Sequence, residues 1–289
     1  MMENYDEIFD NGTYGAAQPR LSTEEWIEMK KQERAKLYAA IDDMAEKALC
    51  DKEALSSYLT LQANLGRTSV NNTLLVMAQK PDATFVCDAE VWQERGRGIR
   101  KGEGKNAIKQ FQQDKEYTRE DGSVAMGYKV VRCFDISQTY GNPIYKRAAL
   151  SMPMKSKLKA LMTDSAIPVK LSDEVSQSVG ALYSPKENTI HVAKGLDGGT
   201  LFYSISREMA RADGCPNTFL CDCAANIACI RFGIAPKFCD HIPEEYTNLD
   251  TQEKRTALGE IRSAAIEMIG RVDRNLYAMR QQQKNQPER

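Results

Sequence analysis

Apolar residues early in the chain recur at the three- and four-residue intervals of a helix: Trp26, Met29, Leu37, Ile41, Met44 and Leu49. Ser22-Thr23-Glu24-Glu25 precedes them with an N-cap and first-turn acids. Asp51 caps a second helix through Leu55, Leu59 and Leu61 that breaks near Gly66. Ser69 starts a third, which Lys80-Pro81-Asp82 ends. The pattern then changes. Thr84-Phe85-Val86-Cys87 reads as a strand, residues 89–94 as one or two helical turns, and residues 96–105, with four glycines in ten, as an exposed loop. Strands over 106–112 and 126–136 follow, joined by a charged hairpin containing Asp121-Gly122.

Residues 141–153, with Pro143 and Pro153, make a domain junction. Beyond it the pattern gives a helix over 155–163, a strand around Val169, a hairpin over 180–183 and 189–192, and helices over 201–212 and 219–232. Thr200 opens the first of these helices, and Gly233 ends the second. A last helix over 251–282 places Leu258, Ile261, Ala265, Ile269, Val272, Leu276 and Met279 on one stripe. The fold class is α+β: N-terminal helices with a small antiparallel sheet, then a second α+β domain and a long C-terminal helix. The expected segments are a disordered lead-in over 1–20, domains over 21–145 and 150–245, and a final helix with a polar tail over 250–289.

The 289 residues, 42% hydrophobic and 27% charged, fit two soluble domains. No apolar run is long enough for a membrane span. The acidic, polar start has no basic or apolar signal region, so the expected location is the cytoplasm, without membrane contact. Eight cysteines, none in a CxxC pair, read as reduced thiols rather than disulfides or a zinc site. A net charge of −1 excludes a global basic field, so any nucleic-acid binding must rest on a local patch.

The helix over 201–212 carries Arg207-Glu208-Met209-Ala210-Arg211. Hairpin, helix and supporting helix are laid out as in the small zincin-like (ImmA/IrrE-like) metallopeptidases, whose HExxH places two histidines on one helical face. The segment resembles that helix with both histidines turned to arginine. Glu208 takes the general-base position, and Asp222 falls where a third ligand belongs. Taken alone, RExxR equally fits the solvated face of an amphipathic helix. The hairpin, Asp222 and the order of elements favour the degenerate site. Guanidinium is permanently charged and offers a metal no lone pair. Without an ion Glu208 cannot hydrolyse an amide, so neither catalysis nor a metal or cofactor is expected. His191 and His241 lie outside the motif. An ion pair between Asp222 and Arg207 or Arg211 is expected instead.

In the first half, Arg95, Arg97, Arg100, Lys101, Lys105 and Lys109 oppose one acid, Glu103, with Trp92 and Phe111 alongside. Cations beside aromatics suit single-strand binding, in which charges follow phosphates and rings stack on bases; a solvated turn is the plain alternative. The stretches around Asn72, Gln79-Lys80-Pro81, Trp92, 96–103 and 134–139 resemble the N-terminal domain of ArdC-type antirestriction proteins. In that family a single-stranded-DNA-binding domain precedes a zincin-like one, and the similarity covers roughly residues 52–235. The resemblance implies a non-catalytic accessory protein of a bacterial mobile element or phage, with DNA contacts from Trp92 and the 95–109 loop, and with Asn72 and Gln138 contacting DNA or holding the loops. The alternatives are a pseudo-peptidase module that binds a protein in its dead cleft, and a hydrolase with an unfamiliar metal arrangement.

Overall fold

The computed structural model describes residues 22–119, 121–144 and 148–284. The expected lead-in and the end of the polar tail lie outside these. The chain divides into two compact units, one up to Ala39 and one from Ala40 onward.

Helix α1 (Thr23–Ala48) begins as its sequence indicates. Ser22 Oγ accepts from Glu25 N at 3.1 Å and Glu25 Oε2 accepts from Ser22 N at 2.8 Å, a reciprocal capping box. In the unit beginning at Ala40, α2 (Lys52–Leu65) and α3 (Val70–Gln79) are capped by Asp51 and Ser69, each accepting a bond from the backbone three residues on. Buried Gln62 ties the two helices together. Its amide donates to the carbonyls of Gly66 and Thr68, and its oxygen accepts from Tyr58 and Thr73, so both ends of this buried side chain are paired.

Strands β1 (Val86–Asp88), β3 (Ile108–Thr118) and β4 (Val124–Asp135) form an antiparallel sheet in the order β1-β4-β3. Helix α4 (Ala89–Glu94) follows β1 directly, capped by Asp88. The expected open loop at 96–105 is instead ordered. Arg97–Ile99 forms β2, paired with β5 (Thr139–Gly141), and Glu103–Asn106 forms a 3-10 turn.

After the short α5 (Ala148–Ser151), α6 (Met154–Met162) leads to a second three-stranded sheet. Its strands are β6 (Val169–Ser172), β7 (Ala181–Ser184) and β8 (Thr189–Ala193), in the order β6-β8-β7, with β6 parallel and β7 antiparallel to β8. Helices α7 (Gly198–Ala212) and α8 (Thr218–Arg231) pack on each other, and α7 packs on this sheet. Asp197, not Thr200, caps α7, accepting from the amides of Gly199 and Thr200. The one-turn α9 (Glu244–Thr247) precedes α10 (Thr251–Lys284), whose stripe Leu258, Ile261, Ala265, Ile269, Val272 and Leu276 is buried against α8, α6 and α7. Helix α2 also packs on α8. Lys157, buried on α6, donates to Phe232 O at 2.7 Å and closes the C-terminal end of α8.

Candidate functional site

Glu208 is fully buried on α7 and faces the edge of β7. Its Oε1 meets Arg207 Nε at 2.8 Å, its Oε2 lies 3.5 Å from an Arg211 nitrogen, and Oε2 accepts from Tyr183 N at 3.0 Å. The far end of Arg207 donates to Val179 O and Ala181 O, both at 3.0 Å. Residues 181 and 183 are the positions of β7 whose polar groups point away from β8, because Gly180 O already accepts from Ala193 N. Arg207 and Glu208 therefore serve the outer edge of β7 much as another strand would.

Asp222 sits across this cleft on α8. It accepts a 2.7 Å bond from Tyr203, and Arg207 Nε is 4.0 Å away. Burial pushes its carboxyl above the ordinary range, against the opposing pull of Tyr203, Arg207 and Arg211. The expected ion pair is thus present at the limit of contact, while the close pairing goes to Glu208. Arg211 donates to Thr218 Oγ1 at 2.9 Å, across the α7–α8 turn.

The basic region divides by what each cation touches. Arg97 is consumed by the fold: it bonds Thr139 Oγ1, Thr139 O, Gly141 O and Asn142 O, and lies over the ring of Trp92. Arg95 lies over Phe85, and Arg100 donates to Thr139 O at 3.0 Å from an exposed position. Lys101 and Lys105 are exposed, and Lys109 is half-buried.

Trp92 corrects the sequence reading. It is 0% exposed and donates its indole N–H to Phe134 O at 2.8 Å, so it cannot stack on a base. Asn72 and Gln138 likewise act within the fold. Asn72 brackets Phe111, donating to its carbonyl and accepting from its amide, both at 2.8 Å. Gln79 does the same for Lys109, at 3.0 and 2.9 Å. Gln138 joins the Asp135 amide to Glu103 and Asn106 O, closing the 3-10 turn against β4.

Two residues escaped the sequence reading. Tyr140, 60% exposed, pairs with Gly98, and a Cβ on Gly98 would meet its ring at 2.9 Å. The glycine is needed for the close approach of this ring. Arg132 on β4 reaches across to Gly104 O and is exposed. The signal for Tyr140 was a glycine in a short strand, which often lies under an aromatic from its neighbour.

No family model matches the chain, and comparison with curated proteins gives no match. Among solved structures, the Mn(II)-bound form of the antirestriction protein ArdC from plasmid R388 aligns with a TM-score of 0.51 over 77% of this chain and 98% of that one, at 13% identity. The fold is that of ArdC. The metal-free ArdC structure aligns at a TM-score of 0.48 and 16% identity, over 74% of this chain and 85% of that one. The resemblance read from the sequence holds at the level of fold.

The Mn(II) of the ArdC structure raises the question of whether this cleft suits a divalent ion. It does not. Arg207 and Arg211 bring two fixed positive charges into it, and both oxygens of Glu208 are taken by those guanidiniums and Tyr183 N. Among the described residues no three of His, Cys, Asp and Glu cluster as a metal site.

Proposed function

We propose that the chain is a non-catalytic, single-stranded-DNA-binding accessory protein of a bacterial mobile element or phage, serving an antirestriction role in the cytoplasm. Its DNA-binding part spans 21–145, and the part over 150–245 is a pseudo-metallopeptidase. The observation that carries this reading is Tyr140. Its ring lies exposed on Gly98, in the strand pair from which Arg100 reaches into solvent. Lys101 and Lys105 follow in the same loop, and Arg132 lies beside it. A ring for stacking beside cations for phosphates is what sequence-independent strand binding requires. The ArdC-like fold supports the antirestriction assignment. The crowded cleft supports an absence of hydrolysis, since a carboxylate held by two guanidiniums is poorly placed to take a proton from water.

The test is fluorescence anisotropy with a labelled oligonucleotide over a salt series. Binding that weakens steeply with salt is expected, and Lys101→Ala with Lys105→Ala should weaken it further while making its salt dependence shallower. Undetectable or salt-insensitive binding overturns the reading.

A further inference from the structure

Lys254, in the first turn of α10, carries its ammonium into the interior and is 1% exposed. A buried ammonium needs an acceptor for each of its three N–H groups. Nζ donates to Glu46 Oε2 at 2.6 Å, to Thr247 O at 2.9 Å and to Cys50 Sγ at 3.4 Å. The first two are ordinary acceptors, whereas a thiol sulfur is a weak one. Cys50 Sγ in turn donates to Glu46 Oε1 at 3.1 Å. Glu46 thus touches both groups, one oxygen to each.

Cys50 follows the end of α1, and of the eight cysteines it is the exposed one. The backbone fixes both partners. Cys50 N donates to Lys47 O at 3.2 Å, directly before the Asp51 cap of α2, and Lys254 N donates to Asp250 O at 2.9 Å. An oxidant-accessible thiol and a shielded amine therefore sit side by side, with a carboxylate bonded to each. The hydrogen bond from Lys254 keeps Glu46 below the ordinary carboxylate range, so it is charged at neutral pH and able to accept a proton. Desolvation and Glu46 hold the Cys50 thiol up while Lys254 pulls it down, so the thiol rests protonated. Its proton has a base waiting 3.1 Å away for the moment the sulfur reacts.

We infer that Cys50 and Lys254 form a reversible covalent crosslink, a sulfur–nitrogen bond made when a hydroperoxide oxidises the thiol. The Cys50 sulfur attacks one peroxide oxygen as Glu46 takes its proton. The O–O bond breaks, leaving a sulfenic acid on Cys50 and a hydroxide that recovers the proton from Glu46 and leaves as water. Lys254 then gives a proton to Glu46, and its nitrogen attacks the Cys50 sulfur. The S–OH bond breaks, the hydroxide takes the proton from Glu46 as a second water, and the nitrogen releases one more proton to solvent. One thiol, one ammonium and one peroxide give a sulfenamide, two waters and a proton; sulfur loses the two electrons that the peroxide gains. The bond ties the end of α1 to the first turn of α10 and removes the buried charge, and a thiol reductant reverses it by attack on the sulfur. This inference is independent of DNA binding.

The full-length protein is treated with a small excess of hydrogen peroxide, quenched with catalase, denatured without reductant and titrated for thiols. The expected result is a fall from eight thiols to seven. Fragmentation mass spectrometry should find one joined peptide pair holding Cys50 and Lys254, two hydrogens lighter than its parts, and dithiothreitol should restore all eight thiols. Cys50→Ser should keep its seven thiols under the same treatment. Glu46→Gln should slow crosslinking by about a hundredfold, the contribution of one positioned base. Lys254→Met should stop at a sulfenic acid on Cys50 that a cyclic 1,3-diketone traps. Because Lys254 is buried, the circular dichroism of that variant is checked first, and if it is unfolded the mapping in the native protein and Cys50→Ser decide. Eight thiols surviving in the native protein, or Cys50 oxidised with Lys254 still a free amine, overturns the inference.

Discussion

Arg207 bends back onto its own neighbour, Glu208, with Nε 2.8 Å from the carboxylate. Successive residues on a helix point to different faces, so this contact does not arise from helical geometry alone. The carbonyls of Val179 and Ala181 hold the far end of the guanidinium and draw it across. Glu208 is buried, and among the described residues the cations paired with it are Arg207 and Arg211, beside the single amide of Tyr183. Arg207→Ala should therefore lower stability by about 3–5 kcal/mol, the usual consequence of stranding one member of a buried pair. Arg207→Met combined with Glu208→Gln should be less harmful than Arg207→Ala alone. Urea unfolding of the three proteins checks the order.

The cleft makes a second prediction. Two attached cations leave no room for a third, so Mn(II) in millimolar amounts should leave the melting temperature of the native protein unchanged, and a chelator should do the same. Calorimetry with and without the ion reads this directly. A rise in melting temperature that saturates with Mn(II) would show a site that the donor chemistry excludes.

Tyr140 and Trp92 should separate cleanly. Tyr140→Ala should weaken oligonucleotide binding by about 1–3 kcal/mol, the contribution of one base stacked on an aromatic ring, with little change in stability. Trp92→Ala should instead lower stability by about 3–5 kcal/mol, since it empties a fully enclosed space and leaves Phe134 O without its donor. Anisotropy and thermal melts on both variants distinguish the roles.

Asp135 predicts a dependence on pH. Burial pushes its carboxyl up, but bonds from the amides of Phe85, Ser137 and Thr84 outweigh this and leave it below the ordinary range. A depressed folded-state value stabilises the protein above the unfolded carboxylate range. That contribution fades as pH falls through the lower folded value. Asp135→Asn should accordingly be less stable at neutral pH, by about 1–3 kcal/mol, with the difference shrinking toward pH 3. Melts from pH 7 to pH 3 test it.

Much of this was legible in the sequence, for identifiable reasons. The caps at Asp51 and Ser69 and the stripe on α10 follow from local rules acting within one helix. Asp197 is hard to read as a cap because the Gly198-Gly199 that follows it is a poor helix start, whereas Thr200 directly precedes the apolar positions. The order in residues 96–105 comes from pairing with Thr139, Tyr140 and Gly141, about forty positions away, and no local pattern reports it. Trp92 misled for a related reason. A ring flanked by arginines reads the same whether it meets a base or lies under Arg97 in the core. Spacing puts Arg207, Glu208 and Arg211 on one helix, yet the close pairing falls on Glu208 rather than Asp222, because carbonyls of a loop and strand that the helix sequence does not contain hold Arg207.

The bracketing of β3 by Asn72 and Gln79 reaches only as far as Phe111, and from Gln112 to Thr118 the strand runs exposed. Neighbouring molecules at high concentration would find a ready template along that stretch, were it not lined with Asp114, Lys115 and Glu116 and bent by a bulge between Gln113 and Glu116. Helix α3 thus guards the base of the hairpin with amides while charge and curvature guard its tip. Asn72→Ala, by unsealing the base, should make the protein prone to self-association before it measurably unfolds, and light scattering at rising concentration would report that.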